Sequence, residues 1–230
     1  MAAEADAPAG RVEFFFDPIC PWAYQTSVWI RDVRDQTGLE IGWRFFSLEE
    51  INRAEGKKHP WERALAYGWT PMRVGAWLRR RDMALLDAWY EAIGRALHVE
   101  GRRPYDEAVA KELLGAIGAD PSAWDQALAD PTTHDEVRAD HEEAVGRWGA
   151  FGVPVIVFEW GRAIFGPVVV PAPAGSAALE LWDLTVRSAR FPGLYELKVP
   201  KTPAMLADIA TRFAPYLEAR QWPTIERPAP

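Results

Sequence analysis

The first apolar run, Val12-Glu13-Phe14-Phe15-Phe16, is short, β-favouring and stopped by Asp17-Pro18, and Leu39-Glu40-Ile41-Gly42-Trp43-Arg44-Phe45-Phe46 opens with alternation and closes aromatic. Both predict strands. Between them Val28, Trp29, Ile30 and Val33 recur at helical spacing up to a stop at Gly38, which predicts a helix. Two strands joined by a crossover of about 20 residues have the proportions of a parallel β-α-β unit, which crosses over right-handed. From about residue 60 to residue 148 the period is helical throughout. Met83, Leu86, Trp89, Tyr90, Ile93 and Leu97 mark one helix, Val109, Leu113 and Ile117 another that ends at Gly118, and Pro121 and Pro131 open two more as first-turn prolines. Strand signals return at Val155-Ile156-Val157-Phe158-Glu159-Trp160, and a turn at Gly161-Arg162 before Ala163-Ile164-Phe165 makes a hairpin. A helix over about 175–190 follows. A single amphipathic pattern over 202–221 carries Met205, Leu206, Ile209, Phe213 and Leu217, and Arg227-Pro228-Ala229-Pro230 reads as a loose end.

Composition narrows the class. With 230 residues, 49% of them apolar, the chain can bury a sizeable core. A net charge of −7 argues against a nucleic-acid or anionic-membrane surface, which is normally basic. Residues 1–10 lack the apolar core of a secretory signal, and no apolar run approaches the ~20 residues a membrane span needs. A cytoplasmic protein is expected. Arg79-Arg80-Arg81 reads as a solvated helix end, and so does the face carrying His134, Asp135, Glu136, Asp140, Glu142 and Glu143. His134 and His141 lie two helical turns apart, too far for a compact metal pair, so no metal is expected. No Gly-x-Ser-x-Gly elbow supports serine hydrolysis. Of twelve tryptophans, Trp22, Trp61 and Trp69 fall beside the thiol loop or the start of the helical block, where a cleft suited to a flat aromatic or thiol-conjugated substrate is expected.

The chemistry concentrates on Cys20, the chain's one cysteine, which stands where a strand turns into a helix. Pro21 suits the first helical position and leaves Cys20 at the N-cap. A thiol there faces the positive end of the helix, where a cysteine pKa of about 8.5 falls to roughly 3.5–7.5. The dipole's ~0.3–1 kcal/mol is less than one pKa unit, so amide or polar donors must also reach the sulfur. The second cysteine of a Cys-x-x-Cys pair would stand at position 23, which is Ala23. Redox chemistry must then pass through a mixed disulfide with an outside thiol, or through oxidised sulfur that an outside thiol reduces.

The order β-α-β, helical block, β-hairpin, helix resembles the DsbA-like thioredoxin family. Cys20-Pro21-Trp22-Ala23 stands where that family carries Cys-x-x-Cys, and Gly152-Val153-Pro154 is similar to its cis-proline loop, which packs beside the reactive sulfur. Phe16-Asp17-Pro18-Ile19-Cys20-Pro21-Trp22, Phe46-Ser47-Leu48 with Asn52, Phe165-Gly166-Pro167-Val168, Leu181-Trp182-Asp183 and Glu196-Leu197-Lys198 are similar to the mycothiol-dependent branch of reductases and nitroreductases. The resemblance implies an α/β thioredoxin-like domain over 11–58 and 149–198, an α-helical insertion over 59–148, and a C-terminal helix and tail over 199–230. It also implies Cys20 as nucleophile, Pro21 and the helix N-terminus as its activators, Trp22 as a cleft wall, and Val153 and Pro154 as a backbone platform. Asn52 becomes a polar contact and Trp61, where the branch often has tyrosine, a cleft residue. The implied activity is a monothiol disulfide or nitroaromatic reduction with mycothiol or another small thiol as co-substrate, no covalently bound cofactor, and a monomer or homodimer. Two alternatives stand beside it: a thiol transferase or isomerase like the kappa-class glutathione transferases and chromene-carboxylate isomerases, and a non-catalytic ligand-binding homologue.

Overall fold

The computed structural model describes residues 10–222; the loose ending expected for residues 227–230 and all but the last residue of the opening segment lie outside them. Four strands, β1 (Arg11–Phe16), β2 (Glu40–Phe45), β3 (Val155–Phe158) and β4 (Arg162–Phe165), form one sheet in the order β2-β1-β3-β4. β1 runs parallel to β2, with Phe14 opposite Trp43, and antiparallel to β3, with Phe14 opposite Ile156. β3 and β4 form the expected hairpin, with Arg162 already inside β4. Both faces of β1 are covered, and Phe14, Phe15 and Phe16 are each at most 1% exposed. Three phenylalanines in a row, rather than alternation, are what such an interior strand requires.

α1 (Pro21–Thr37) crosses from β1 to β2 and ends at Gly38, whose φ of 76° is the left-handed conformation that turns its N–H back to the Arg34 carbonyl. The chain then leaves the sheet through α2 (Leu48–Ile51), a 3-10 turn (Pro60–Glu62), α3 (Trp69–Arg79), α4 (Met83–His98), α5 (Glu107–Ala116), α6 (Ala123–Ala129) and α7 (Thr132–Trp148) before returning at β3, and α8 (Ser176–Arg190) follows the hairpin. This is the α/β thioredoxin-like order, β-α-β then β-β-α, interrupted by helices. Sheet and inserted helices share one apolar core: Phe16 stacks on Tyr90 of α4 at 3.7 Å, and Trp43 meets the same ring edge-on at 5.3 Å. On the other side Trp29 of α1 donates its indole N–H to the Ala178 carbonyl of α8.

Several elements differ from their sequence readings. The arginine triplet is exposed at Arg80 and Arg81 as expected, but it also fastens α3 to α7, because Arg79 pairs with Asp140 and Glu136, and Arg80 with Asp130 and Glu136. The acidic face of α7 is docked in part: Asp135 and Glu142 are exposed as expected, but Asp140 is 5% exposed, takes Arg44 Nε at 2.8 Å and accepts the Phe45 N–H at 3.0 Å, while His134 Nδ1 accepts from the Trp69 indole at 2.8 Å. Pro131 occupies the N-cap place of α7 and Pro121 precedes the cap of α6, so both stand just outside the first turn. The tail is two helices, α9 (Pro203–Arg212) and α10 (Ala214–Ala219). Pro215 has no N–H to give the Thr211 carbonyl, so a single α ladder cannot run through.

Candidate active site

β1 ends against a tight turn in which the Cys20 N–H reaches the Asp17 carbonyl at 3.0 Å, and this delivers Cys20 to the N-cap of α1 in an extended conformation. Pro21 takes the first helical position. The sulfur accepts the Ala23 N–H at 3.4 Å, and its own S–H is directed at the Val153 carbonyl at 3.6 Å. Val153 and Pro154 are buried beside it, and the peptide bond between them is cis. Phe15, Ala23, Phe46, Ala144, Ala150, Val155 and Val157 complete an apolar surround, leaving Cys20 6% exposed.

That surround reverses the electrostatic expectation. Burial pushes the Cys20 thiol up to about 12, and the backbone N–H groups of Ala23 and Trp22 recover only part of the shift. In this conformation the sulfur is a protonated donor to Val153, not a thiolate. The place in the fold is the expected one; the ionisation state is not.

Asp17 is the functional-loop residue that sequence reasoning passed over. It is fully buried, its Oδ1 accepts the Ile19 N–H at 3.0 Å, and its Oδ2 accepts the Leu48 N–H at 2.7 Å, which ties the thiol loop to the start of α2. Burial pushes its carboxyl up to about 8 against the pull of those two donors, and its nearness raises Cys20 further. Gly68 passes so close that a Cβ there would overlap Asp17 Oδ1. A lone acid between three phenylalanines and a proline was the available signal. His98 of α4 holds the loop from the other side: its Nε2 donates to the Pro18 carbonyl at 2.8 Å, and Nδ1 finds no partner among the described residues. Burial lowers this imidazole to about 4, so it is neutral.

The other expected site residues separate into two groups. Trp22 is half-buried next to the thiol and meets Phe213 of the C-terminal segment edge-on at 5.0 Å. Asn52 is exposed and uses its amide to close α2 on the Leu48 carbonyl at 2.9 Å, while Leu48 and Ile51 pack against the thiol cluster. Trp61 packs elsewhere, stacked on His59 at 4.3 Å under Arg138 at 4.7 Å, and belongs with the large core. Trp69 is 1% exposed and is core as well. No group of three potential metal ligands is found among the described residues, and no described helix is long and apolar enough to cross a membrane.

The sequence profile of the Rv2466c-like family, described as mycothiol-dependent nitroreductase Rv2466c, matches residues 19–199, from the thiol loop to just before α9. The uncharacterised protein Rv2286c of Mycobacterium tuberculosis is 56% identical over 216 residues, 94% of this chain and 93% of that one. Among solved structures, a probable DsbA oxidoreductase, SCO1869 of Streptomyces coelicolor, is 22% identical with a TM-score of 0.54 over 83% of this chain and 93% of that one. The cytosolic disulfide reductase DsbM of Pseudomonas aeruginosa is 19% identical with a TM-score of 0.54, over 77% and 98% of the two chains. A 2-hydroxychromene-2-carboxylate isomerase is 18% identical with a TM-score of 0.58, over 77% and 95%. At these identities the structural likenesses speak to the fold.

Proposed function

The chain belongs to the Rv2466c-like family of mycothiol-dependent nitroreductases, and from that premise we propose that it is a monothiol oxidoreductase in which Cys20 exchanges disulfides with a small thiol, mycothiol being the leading candidate. One observation carries the reading: the single thiol stands at the N-cap of α1 with an amide donor on its sulfur and the Val153 carbonyl as its proton-side partner. In the first step the deprotonated sulfur attacks a substrate disulfide, forming the Cys20–substrate bond and releasing the other half as a thiol. A small thiol then attacks the mixed disulfide, restoring Cys20 and leaving the substrate half joined to the small thiol; a second small-thiol molecule frees it. For a nitroaromatic, Cys20 and one small thiol together give two electrons and two protons, yielding nitroso product, water and the Cys20 mixed disulfide, which a second small thiol resolves. With Ala23 in place of a resolving cysteine, every turnover needs that outside thiol.

Intact mass after incubation with mycothiol disulfide, with glutathione disulfide alongside, tests this. A single adduct that is absent in Cys20→Ser and forms faster with mycothiol supports the reading; no adduct with either disulfide overturns it. The buried, protonated thiol favours a second reading, in which the protein orients a small thiol for transfer or isomerisation without being oxidised. Under that reading Cys20→Ser keeps its activity.

A further inference from the structure

We propose that the C-terminal α9–α10 pair is a size filter over Cys20, admitting small thiols and small disulfides and excluding cystines carried on polypeptide chains. The proposal rests on the monothiol reading above and names the substrate class for that site.

Ile19, just before the thiol, and Trp22, two residues after it, are the side chains of the thiol loop that the C-terminal helices cover. Ile19 lies in one apolar cluster with Leu97, Phe213, Tyr216 and Ala219, and Trp22 packs against that cluster with its ring edge-on to Phe213. Lys201, just before α9, sets its ammonium 5.5 Å above the Trp22 ring. The far end of α10 is pinned by two donors on one carbonyl, Arg103 Nε at 3.1 Å and the Tyr105 hydroxyl at 3.2 Å from the Ala219 oxygen. Tyr216 leans on His98 at 5.1 Å, and His98 in turn holds the Pro18 carbonyl of the thiol loop. Two open surface clefts run along α10 and α1, and Cys20 lines neither.

A polypeptide disulfide brings extended chain up beside the sulfur, and Phe213 and Tyr216 pack on Ile19 and Trp22 along one border of that approach. The cover is nonetheless lightly held. α9 buries no residue at all, only Phe213, Tyr216 and Ala219 of the stretch from Phe213 to Ala219 are buried, and the segment that leads into α9, residues 191–202, has no regular structure and exposes Tyr195, Leu197 and Val199. Few buried contacts and an exposed tether are the marks of a unit that opens locally at low cost. A small reagent needs only a slight opening, and a chain needs the α9–α10 pair displaced.

Because Cys20 is the sole cysteine, the filter can be read by alkylation with no redox step. N-ethylmaleimide and the same maleimide carried on a long polyethylene glycol chain are reacted with the folded protein, with the urea-unfolded chain as reference. In the folded protein the small reagent should be favoured by at least roughly a hundredfold over its preference in urea, and Phe213→Ala should shrink that preference by at least about tenfold through easier local opening. Phe213→Leu, which keeps an apolar contact and the fold, should shift it the same way by less. A folded-state preference equal to the unfolded one, or a preference unmoved by both variants, overturns the filter. Failure of the redox reading looks different: a size preference that responds to Phe213 with no mixed disulfide from mycothiol disulfide leaves the filter standing and removes the oxidoreductase.

Discussion

Cys20 shows how one residue's chemistry is set by two opposing effects of different size. The N-cap amide and helix terminus favour thiolate, yet an apolar surround with 6% exposure outweighs them and pushes the thiol up to about 12. A raised value means that the reactive form is scarce at neutral pH and grows with pH. Iodoacetamide alkylation of Cys20 should therefore rise about tenfold per unit between about pH 7 and pH 10; a plateau beginning near pH 8 would contradict the buried state. Asp17 supports the same loop with two accepted N–H bonds, and an amide in its place turns an NH₂ group toward one of those donors. Asp17→Asn should lower stability by about 1–3 kcal/mol, read from the urea midpoint, and should also speed alkylation above about pH 8, where the carboxylate it removes is ionised and raises the thiol.

Between elements, the consequential contacts are polar pins on an apolar core. Asp140 of α7 receives Arg44 from β2, Arg79 from α3 and the Phe45 N–H, so one carboxylate ties the insertion to the sheet edge. Asp140→Ala leaves two guanidinium groups and an amide without it and should cost about 3–5 kcal/mol, measured by chemical denaturation. His98 joins α4 to the thiol loop as a neutral imidazole. Its folded value of about 4 lies below the ordinary 6.5, so the unfolded chain takes up a proton that the folded one refuses. Stability from this group is intact above 6.5 and is lost as pH falls toward 4, about 2 kcal/mol between pH 7 and pH 5. His98→Gln should flatten that acid limb. Asp17 works in the opposite sense, since its raised value makes its contribution full below 3.8 and lost as pH rises through about 8.

At the scale of the molecule, α8 and the C-terminal α9–α10 pair are joined by an exposed strap. Phe191 is 64% exposed, Tyr195 93% and Leu197 76%, and residues 191–202 have no regular structure. Limited chymotrypsin digestion should cut first within this strap, giving one large fragment with Cys20 and one small one with α9 and α10, before any cut in the core. First cleavage inside α3–α7 would contradict a rigid sheet and insertion sharing one core. Once the strap is cut, the α9–α10 pair is held only by its own contacts, and Cys20 alkylation should accelerate.

The sequence by itself determined what depends on near neighbours: β1, β2 and the β3–β4 hairpin, α1 with Cys20 at its cap and Gly38 at its end, the resemblance carried by Phe16 to Trp22, and a thiol with Ala23, three positions on, where a resolving cysteine would stand. Turn residues, helical period and caps act within a few positions, so they are legible in order. Only the tertiary structure decided the state of that thiol. Val153, 133 residues away, receives its proton side, and Ala144, Val155 and Val157 wrap it in apolar surface. Phe213, on a segment beyond the matched family region, covers Trp22. The charged face of α7 reads as solvated in sequence because its partners, Arg44, Arg79 and Trp69, lie on other elements. Ionisation, access and ion pairing depend on which distant residues exclude water from a group, and that is a property of the packed chain rather than of any stretch of it.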